Sequence, residues 1–361
     1  MLRIIKKPEP SKQQLVVIKI TAVVLAFVAS TVFILSLGHN PFNVYFSMLE
    51  GCFGSLYRFN ETVVKTIPLA ITALGILVAF KMKFWNIGGE GQILMGAFLA
   101  SFFALKFPDM PMGLLIPLMI AAGMVGGGIW ALIPAFFKAR LGTNETLFTL
   151  MMNYIALQWV TYLQYGPWKD PNALGFPKIP NFSSNAVLPN VLGIHAGWII
   201  CLLLIAGIYV FMKYSKKGFE ISVIGESETT ALYAGMNVRK ITLIAIFMSG
   251  ALCGLAGMIQ ASAVSNTLSI EVAGGVGYTA IIVAWLSGLS APIILLVSFL
   301  FATLVQGGAY IQTAFQIPQS AAQILQGMIL IFVLGSEFFS KYKIDIKREK
   351  SSNNEDGARS A

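Results

Sequence analysis

The side chains best placed to do chemistry are a few acids and amides set among apolar residues and glycines. The run Phe84-Trp85-Asn86-Ile87-Gly88-Gly89-Glu90-Gly91-Gln92 gathers one carboxylate, two carboxamides and an indole, with three glycines that allow close backbone approach or positive φ. An ionisable residue flanked by apolar stretches is costly unless it is paired or used. Two uses therefore stand open: Asn86, Glu90 and Gln92 line a solute path or brace a broken helix that does, or Glu90 pairs with Lys81 or Lys83 near the inner interface. Trp85, Asn153, Tyr154, Gln158 and Gln260 add aromatic faces and amides in apolar surroundings. Such groups can stack on and hydrogen-bond a base and a sugar, although most positions of this kind in a helical bundle serve packing.

A second cluster is acidic. Glu226, Glu228 and Thr230 precede the small residues Ala231 and Ala234 and then Gly235, the pattern of a short capped helix stopped by glycine. It is an ordinary connector or a helix that docks into a groove on a soluble partner. Other chemistry is poorly provided for. His39 and His195 stand alone without zinc-type spacing, so no metal site is expected. No glycine-rich phosphate loop ending in Lys-Ser/Thr occurs, so ATP hydrolysis by this chain is not expected. Cys52, Cys201 and Cys253 are too scattered for a disulfide framework.

The elements that must position these residues are membrane helices. Of 361 residues, 56% are hydrophobic and 11% charged, and the mean hydropathy is +0.75. A soluble domain carries about 25% charged residues, so the missing polar skin implies that lipid covers much of the outside. Apolar runs occupy 15–37, 67–80, 93–107, 112–137, 147–163, 197–212, 241–264, 278–289, 292–308 and 321–338. A bilayer core of roughly 30 Å takes about 20 helical residues, and backbone satisfaction in lipid makes these runs helices. The fold class expected is an all-α polytopic membrane bundle of about ten transmembrane helices, filling 1–340, with a disordered cytoplasmic tail over 341–361 rich in Ser, Asn and acids. Gly88-Gly89-Glu90-Gly91-Gln92 and Gly274-Gly275-Val276-Gly277-Tyr278 each precede a span, and the odd number of spans between them suggests an inverted repeat, an arrangement that commonly frames a substrate path.

Charge sets the expected orientation. The net charge of +9 invites a nucleic-acid reading, but the basic residues cluster in alternate loops. Placing both termini inside puts Arg3, Lys6, Lys7, Lys12, Lys81, Lys83, Lys138, Arg140, Lys213, Lys216, Lys217, Arg239, Lys240 and six tail residues on one face, 19 of the 25. The longest inner loop is then 213–240. The stretch 166–196, rich in Pro, Asn and Ser, is external and serves as a partner surface or a solvated connector.

The run from Gly218 to Lys240, continued through Met248-Ser249-Gly250-Ala251-Leu252-Cys253-Gly254-Leu255-Ala256-Gly257, resembles the coupling loop and following helix of permeases from bacterial ABC importers of the ribose and branched-chain amino acid group. The Asn86-Ile87-Gly88-Gly89-Glu90-Gly91-Gln92 segment is most similar to the nucleoside branch, and 274–289 fits the same pattern, so the likeness covers nearly the whole chain. The resemblance implies a transport subunit rather than an enzyme, translocating nucleosides by alternating access in the inner membrane of a bacterium. It implies a second homologous permease, cytoplasmic ATPases that bind the ATP and magnesium, and an extracytoplasmic substrate-binding lipoprotein. It further implies that Glu226, Glu228, Thr230, Ala231 and Gly235 carry the ATPase contact. No motif fixes the pathway residues, whose candidates rest on side-chain chemistry alone: Trp85, Asn86, Glu90, Gln92, Asn153, Tyr154, Gln158 and Gln260. The alternatives are the same machinery carrying a simple sugar or an amino acid, an ion-coupled secondary transporter with Glu90 as its coupling acid, and a membrane-embedded enzyme.

Overall fold

The ten apolar runs all fold as helices. The structure, a computed structural model, describes residues 2–6, 11–173 and 175–346. In chain order these form β1 (Leu2–Lys6), α1 (Lys12–Ser36), α2 (Pro41–Phe53), α3 (Leu56–Lys81), α4 (Gly89–Lys106), α5 (Met112–Leu141) and α6 (Glu145–Tyr165). A 3-10 turn (Ser184–Ala186) and the two-residue strands β2 (Asn190–Val191) and β3 (Ile194–His195) lead into α7 (Gly197–Tyr214), α8 (Lys216–Glu226) and α9 (Glu228–Tyr233). Then follow α10 (Val238–Ile259) with a π-helical turn (Gln260–Ser265), α11 (Val276–Leu286), α12 (Ala291–Phe315), α13 (Gln319–Lys341) and β4 (Tyr342–Ile346).

Among the described residues five helices, α3, α5, α7, α10 with its π turn, and α12, are long and apolar enough to cross a bilayer alone. A sixth span results if α1 and α2, bent by 111°, are taken as one broken crossing. Hydropathy and burial together show where lipid belongs. The apolar windows of α3 and α7 have mean hydropathies of 2.1 and 1.9, yet 83% of the first is buried and only 22% of the second. Apolar residues left open on α7, such as Leu203 and Val210, are stable against hydrocarbon and unfavourable against water.

Two boundaries differ from the hydropathy pattern. α3 begins at Leu56 rather than 67, because Ser55 caps it by accepting from the Arg58 N–H and the amphipathic stretch that follows stays helical. α11 has only 11 residues, about 16 Å of helix, and stops where Gly288 and Leu289 turn left-handed. It is a half-helix, too short to cross alone.

The described residues fall into two compact units, one from Met1–Ser47 with Gly308–Ala361 and one from Met48–Gly307. In the first, α1 packs on α13, and β1 pairs antiparallel with β4 from Leu2 opposite Ile346 to Lys6 opposite Tyr342. The expected tail therefore starts as a strand, and 347–361 lie outside the described residues. In the second, α10 is the central helix, packed on α5, α4 and α3. Its glycines make this possible. A Cβ on Gly254 would fall on the Gly123 carbonyl and the Gly127 backbone, and one on Gly257 would fall on the Ile93 carbonyl. Helices pack this closely in lipid where small residues let backbones touch.

The 166–196 stretch is no solvated connector. Ile179, Phe182, Ala186 and Leu188 are buried. The Phe182 N–H donates to the Asn266 carbonyl at 2.8 Å, Thr267 Oγ1 to the Ile179 carbonyl at 2.9 Å, and Ser262 Oγ to the Ala186 carbonyl at 2.6 Å. The segment is a folded cap pinned to the π turn at the end of α10.

Candidate functional site

The connection between α3 and α4 is the best-organised polar region of the second unit. α3 ends in a tight reversal: Lys83 is left-handed at φ 58°, and the Lys83 and Phe84 N–H groups donate to Phe80 and Ala79 carbonyls. The chain then runs to Gly88 without regular structure, the Asn86 N–H donating to the Phe84 carbonyl at 2.9 Å, and α4 starts without a side-chain cap. Buried backbone groups in that run need partners from elsewhere, and polar side chains supply them.

Asn86 and Gln92 bond reciprocally, Asn86 Nδ2 to Gln92 Oε1 at 3.2 Å and Gln92 Nε2 to Asn86 Oδ1 at 2.9 Å. Asn86 Nδ2 also reaches Ser249 Oγ on α10 at 3.1 Å, and its Oδ1 accepts from the Gly88 N–H at 3.0 Å. The Ile87 N–H donates to Thr149 Oγ1 on α6. Asn153, one turn on, accepts from the Gly91 N–H at 2.9 Å and donates to the Ile87 carbonyl at 3.0 Å and to the Tyr278 hydroxyl at 3.3 Å. Asn86, Gln92, Asn153, Thr149 and Ser249 are all buried. Their polar groups are occupied with one another and with the backbone, so they hold the connection in place; a satisfied network of this kind specifies one geometry.

Glu90 does what no nearby lysine does for it. Its Oε1 accepts from the Gly275 N–H at 2.7 Å and its Oε2 from the Gly277 N–H at 2.8 Å. The pairing with Lys81 or Lys83 considered from the sequence is thus replaced by a carboxylate on the N-terminus of α11, where free N–H groups and the helix dipole favour negative charge. Only glycine fits: Gly275 is left-handed at φ 80°, and a Cβ on Gly277 would collide with the Glu90 backbone. The two glycine-rich segments singled out in the sequence meet here, each opening a helix.

The remaining pathway candidates are more open. Tyr154 and Gln158 are exposed on α6, Trp85 is 45% exposed, and Gln260 is half-buried at the start of the π turn. Tyr278, partly exposed and bonded to Asn153, is named in the sequence only as the end of the second glycine-rich segment and not as a pathway residue. Trp85 stacks on Trp285 of α11 with centroids 5.5 Å apart and planes 26° apart, and Phe80 contacts both rings.

The acidic cluster folds as expected of capped short helices. Ser215 accepts from the Gly218 N–H to start α8, Ser227 accepts from the Thr230 N–H to start α9, and Gly235 turns left-handed after it. Glu226, Glu228, Thr230 and Gly235 are exposed, whereas Ala231 is fully buried and anchors α9. Leu232 and Tyr233 protrude, Tyr233 being 94% exposed. Beneath lies a cleft of about 840 Å³, lined by Lys83, Lys138, Glu145, Glu226, Glu228 and Arg239 among others, with Lys138 bridging Glu145 at 2.9 Å.

Of the two histidines, His195 is buried in the 166–196 cap with neither ring nitrogen bonded to a described residue. Burial pushes its pKa down to about 4.

Residues 59–334 match a family described as branched-chain amino acid transport system / permease component. The chain is 30% identical to the nucleoside ABC transporter permease of Lactococcus lactis, covering 90% of this chain and 92% of that protein. It is 29% identical to the guanosine ABC transporter permease of Bacillus subtilis, covering 88% and 93%. It is also 29% identical to the glucose ABC transporter permease of Haloferax volcanii, covering 92% and 91%.

Proposed function

The chain belongs to the family of branched-chain amino acid transport system permease components, and from that premise we propose that it carries nucleosides inward by alternating access in an ATP-driven importer. A permease of this kind is a multi-pass membrane subunit and not an enzyme, and hydrolysis takes place on a separate ATPase subunit. The observation that carries the nucleoside proposal is the likeness, end to end, to nucleoside and guanosine permeases. The open aromatic and amide groups Trp85 in the α3–α4 connection, Tyr154 and Gln158 on α6 and Tyr278 on α11 are of the kinds that suit a planar base and a hydroxylated sugar.

The mechanism proposed places α8 and α9 against the cytoplasmic ATPases, with Glu226, Glu228, Thr230 and Gly235 at the contact and Ala231 fixing the helix behind it. ATP and magnesium sit in the ATPases. A second permease of similar fold completes the path, an extracytoplasmic lipoprotein delivers the solute, and both termini lie in the cytoplasm of a bacterial cell. Glu90, already bonded to two backbone amides, is a poor coupling acid for an ion-driven cycle and a good brace.

A second reading, transport of a simple sugar by the same machinery, is favoured by the glucose relative. The experiment that separates them is uptake into proteoliposomes holding the assembled importer, with labelled guanosine, adenosine or glucose. The proposal predicts saturable guanosine or adenosine uptake that excess glucose leaves unchanged. Glucose uptake that nucleosides do not compete would replace it with the sugar reading. Uptake that persists with phosphate-loop-defective ATPases would discard ATP coupling altogether.

A further inference from the structure

We infer that Trp285, stacked on Trp85, is the joint that makes α11 follow movement of the cytoplasmic helices α8 and α9; this rests on the proposal that the ATPases engage those helices. The physical route is short and each contact is direct. Gly225, at the end of α8, has no side chain because a Cβ there would fall on the Lys81 carbonyl oxygen, with the Met82 Cα at 3.1 Å. Backbone lies on backbone, so α8 cannot move toward α3 without displacing Lys81 and Met82. Met82 and Phe84 are buried, and the left-handed Lys83 between them closes a hydrogen-bonded reversal. That reversal is stiff, and displacement at Met82 passes on to Trp85.

Trp85 then meets α11. Its indole lies on that of Trp285 at 5.5 Å, and Phe80 closes the cluster at 5.3 Å from Trp85 and 5.9 Å from Trp285. Trp285 stands one residue before the C-terminal end of α11, and the N-terminal end is held by Glu90. The connector and the first turn of α4 therefore hold both ends of one half-helix, through a stacked indole at one end and a carboxylate at the other. Removing the indole frees the cytoplasmic end of α11 while the Glu90 end stays attached. Simple core filling does not account for the pair, since Trp85 leaves 45% of its surface open.

The test uses the complete importer in proteoliposomes, measuring solute taken up per ATP hydrolysed alongside co-purification of the ATPases. Trp285→Ala is expected to assemble and hydrolyse ATP, with uptake per ATP reduced at least about fivefold, the lower end of ordinary coupling effects; Trp285→Phe, which keeps a stacking face, is expected to restore most of it. Wild-type uptake per ATP in Trp285→Ala would overturn the inference. If Trp285→Ala does not assemble, Trp285→Leu keeps apolar volume without the flat ring; wild-type coupling in that variant overturns the inference, and so does failure of both to assemble, which would make Trp285 a packing residue. The underlying function fails differently: the wild-type chain would not co-purify with ATPases, or its uptake would not need them.

Discussion

A carboxylate accepting from two backbone amides is held by charge-assisted hydrogen bonds, each contributing about 1.5–3 kcal/mol net. Glu90→Gln retains one acceptor and turns an NH2 toward the other amide, so it is expected to cost about 2 kcal/mol, and Glu90→Ala, which leaves the Gly275 and Gly277 amides bare, more. Thermal unfolding in detergent should rank wild type above Gln above Ala, and equal midpoints would show that the clamp is unimportant. His195 sets a pH dependence outside the spans. Its pKa is about 4 in the fold against an ordinary 6.5, so the unfolded chain binds the extra proton first. Stability from this group is complete above pH 6.5 and is lost as pH falls toward 4, a change of about 3 kcal/mol at most. His195→Leu should flatten the thermal midpoint of the purified subunit across that range; an unchanged slope would place the titration elsewhere. Glu90 could be singled out in the sequence because an acid among glycines and apolar runs is conspicuous. Its pairing with the second glycine-rich segment could not, because the partners are backbone amides 185 and 187 residues away, and an amide N–H carries no residue signature. The roles of Tyr278, Thr149 and Ser249 were hidden for a related reason: a hydroxyl beside a helix is common, and only the fold brings these three to Asn153, Ile87 and Asn86.

At the scale of elements, α10 decides the core of the second unit. Gly250, Gly254 and Gly257 line its contacts with α5 and α4, and at each an added Cβ would meet backbone rather than a movable side-chain tip. Gly254→Ala is therefore expected to separate α10 from α5 and to destabilise by about 1–3 kcal/mol, the usual cost of overpacking. Gly207→Ala on α7, where an added Cβ meets nothing, should be neutral and serves as the control. Comparable losses of monodisperse protein at both sites would remove the close-packing argument. Helices were legible because ten apolar runs have one backbone solution in lipid. Their bounds were less so. The start of α3 at Leu56 depends on a serine cap and on residues too polar for a hydropathy window, and α11 is short because glycine turns limit it, which apolarity does not reveal. The Pro, Asn and Ser of 166–196 fit a partner surface and a solvated connector equally well and do not reveal a folded cap; what folds it is pairing of its carbonyls and N–H groups with Ser262, Asn266 and Thr267.

For the whole chain the question is which side faces the ATP. A Lys or Arg at the centre of a membrane helix costs about 2.5–3.5 kcal/mol on insertion scales, and basic loops resist export, so a chain with 19 of its 25 Lys and Arg in one set of alternate loops has a strongly preferred orientation. The proposed orientation, with both termini inside, would put Lys213, Lys216, Lys217, Arg239 and Lys240 on the cytoplasmic side, and with them α8 and α9, which they flank. The native thiols make this testable without further changes, because Cys52, Cys201 and Cys253 are all buried. A cysteine placed at exposed Glu228 should react with an impermeant maleimide in inside-out vesicles and remain unlabelled in intact cells, while wild type stays dark in both. Saturating ATPase should then protect it. Labelling from intact cells would put α9 outside, where no ATP-driven partner could reach it, and would undo the orientation and the coupling mechanism at once. Labelling from the inner face without protection would keep the orientation and move the ATPase contact away from Glu228, with the protruding Leu232 and Tyr233 as the next side chains to probe.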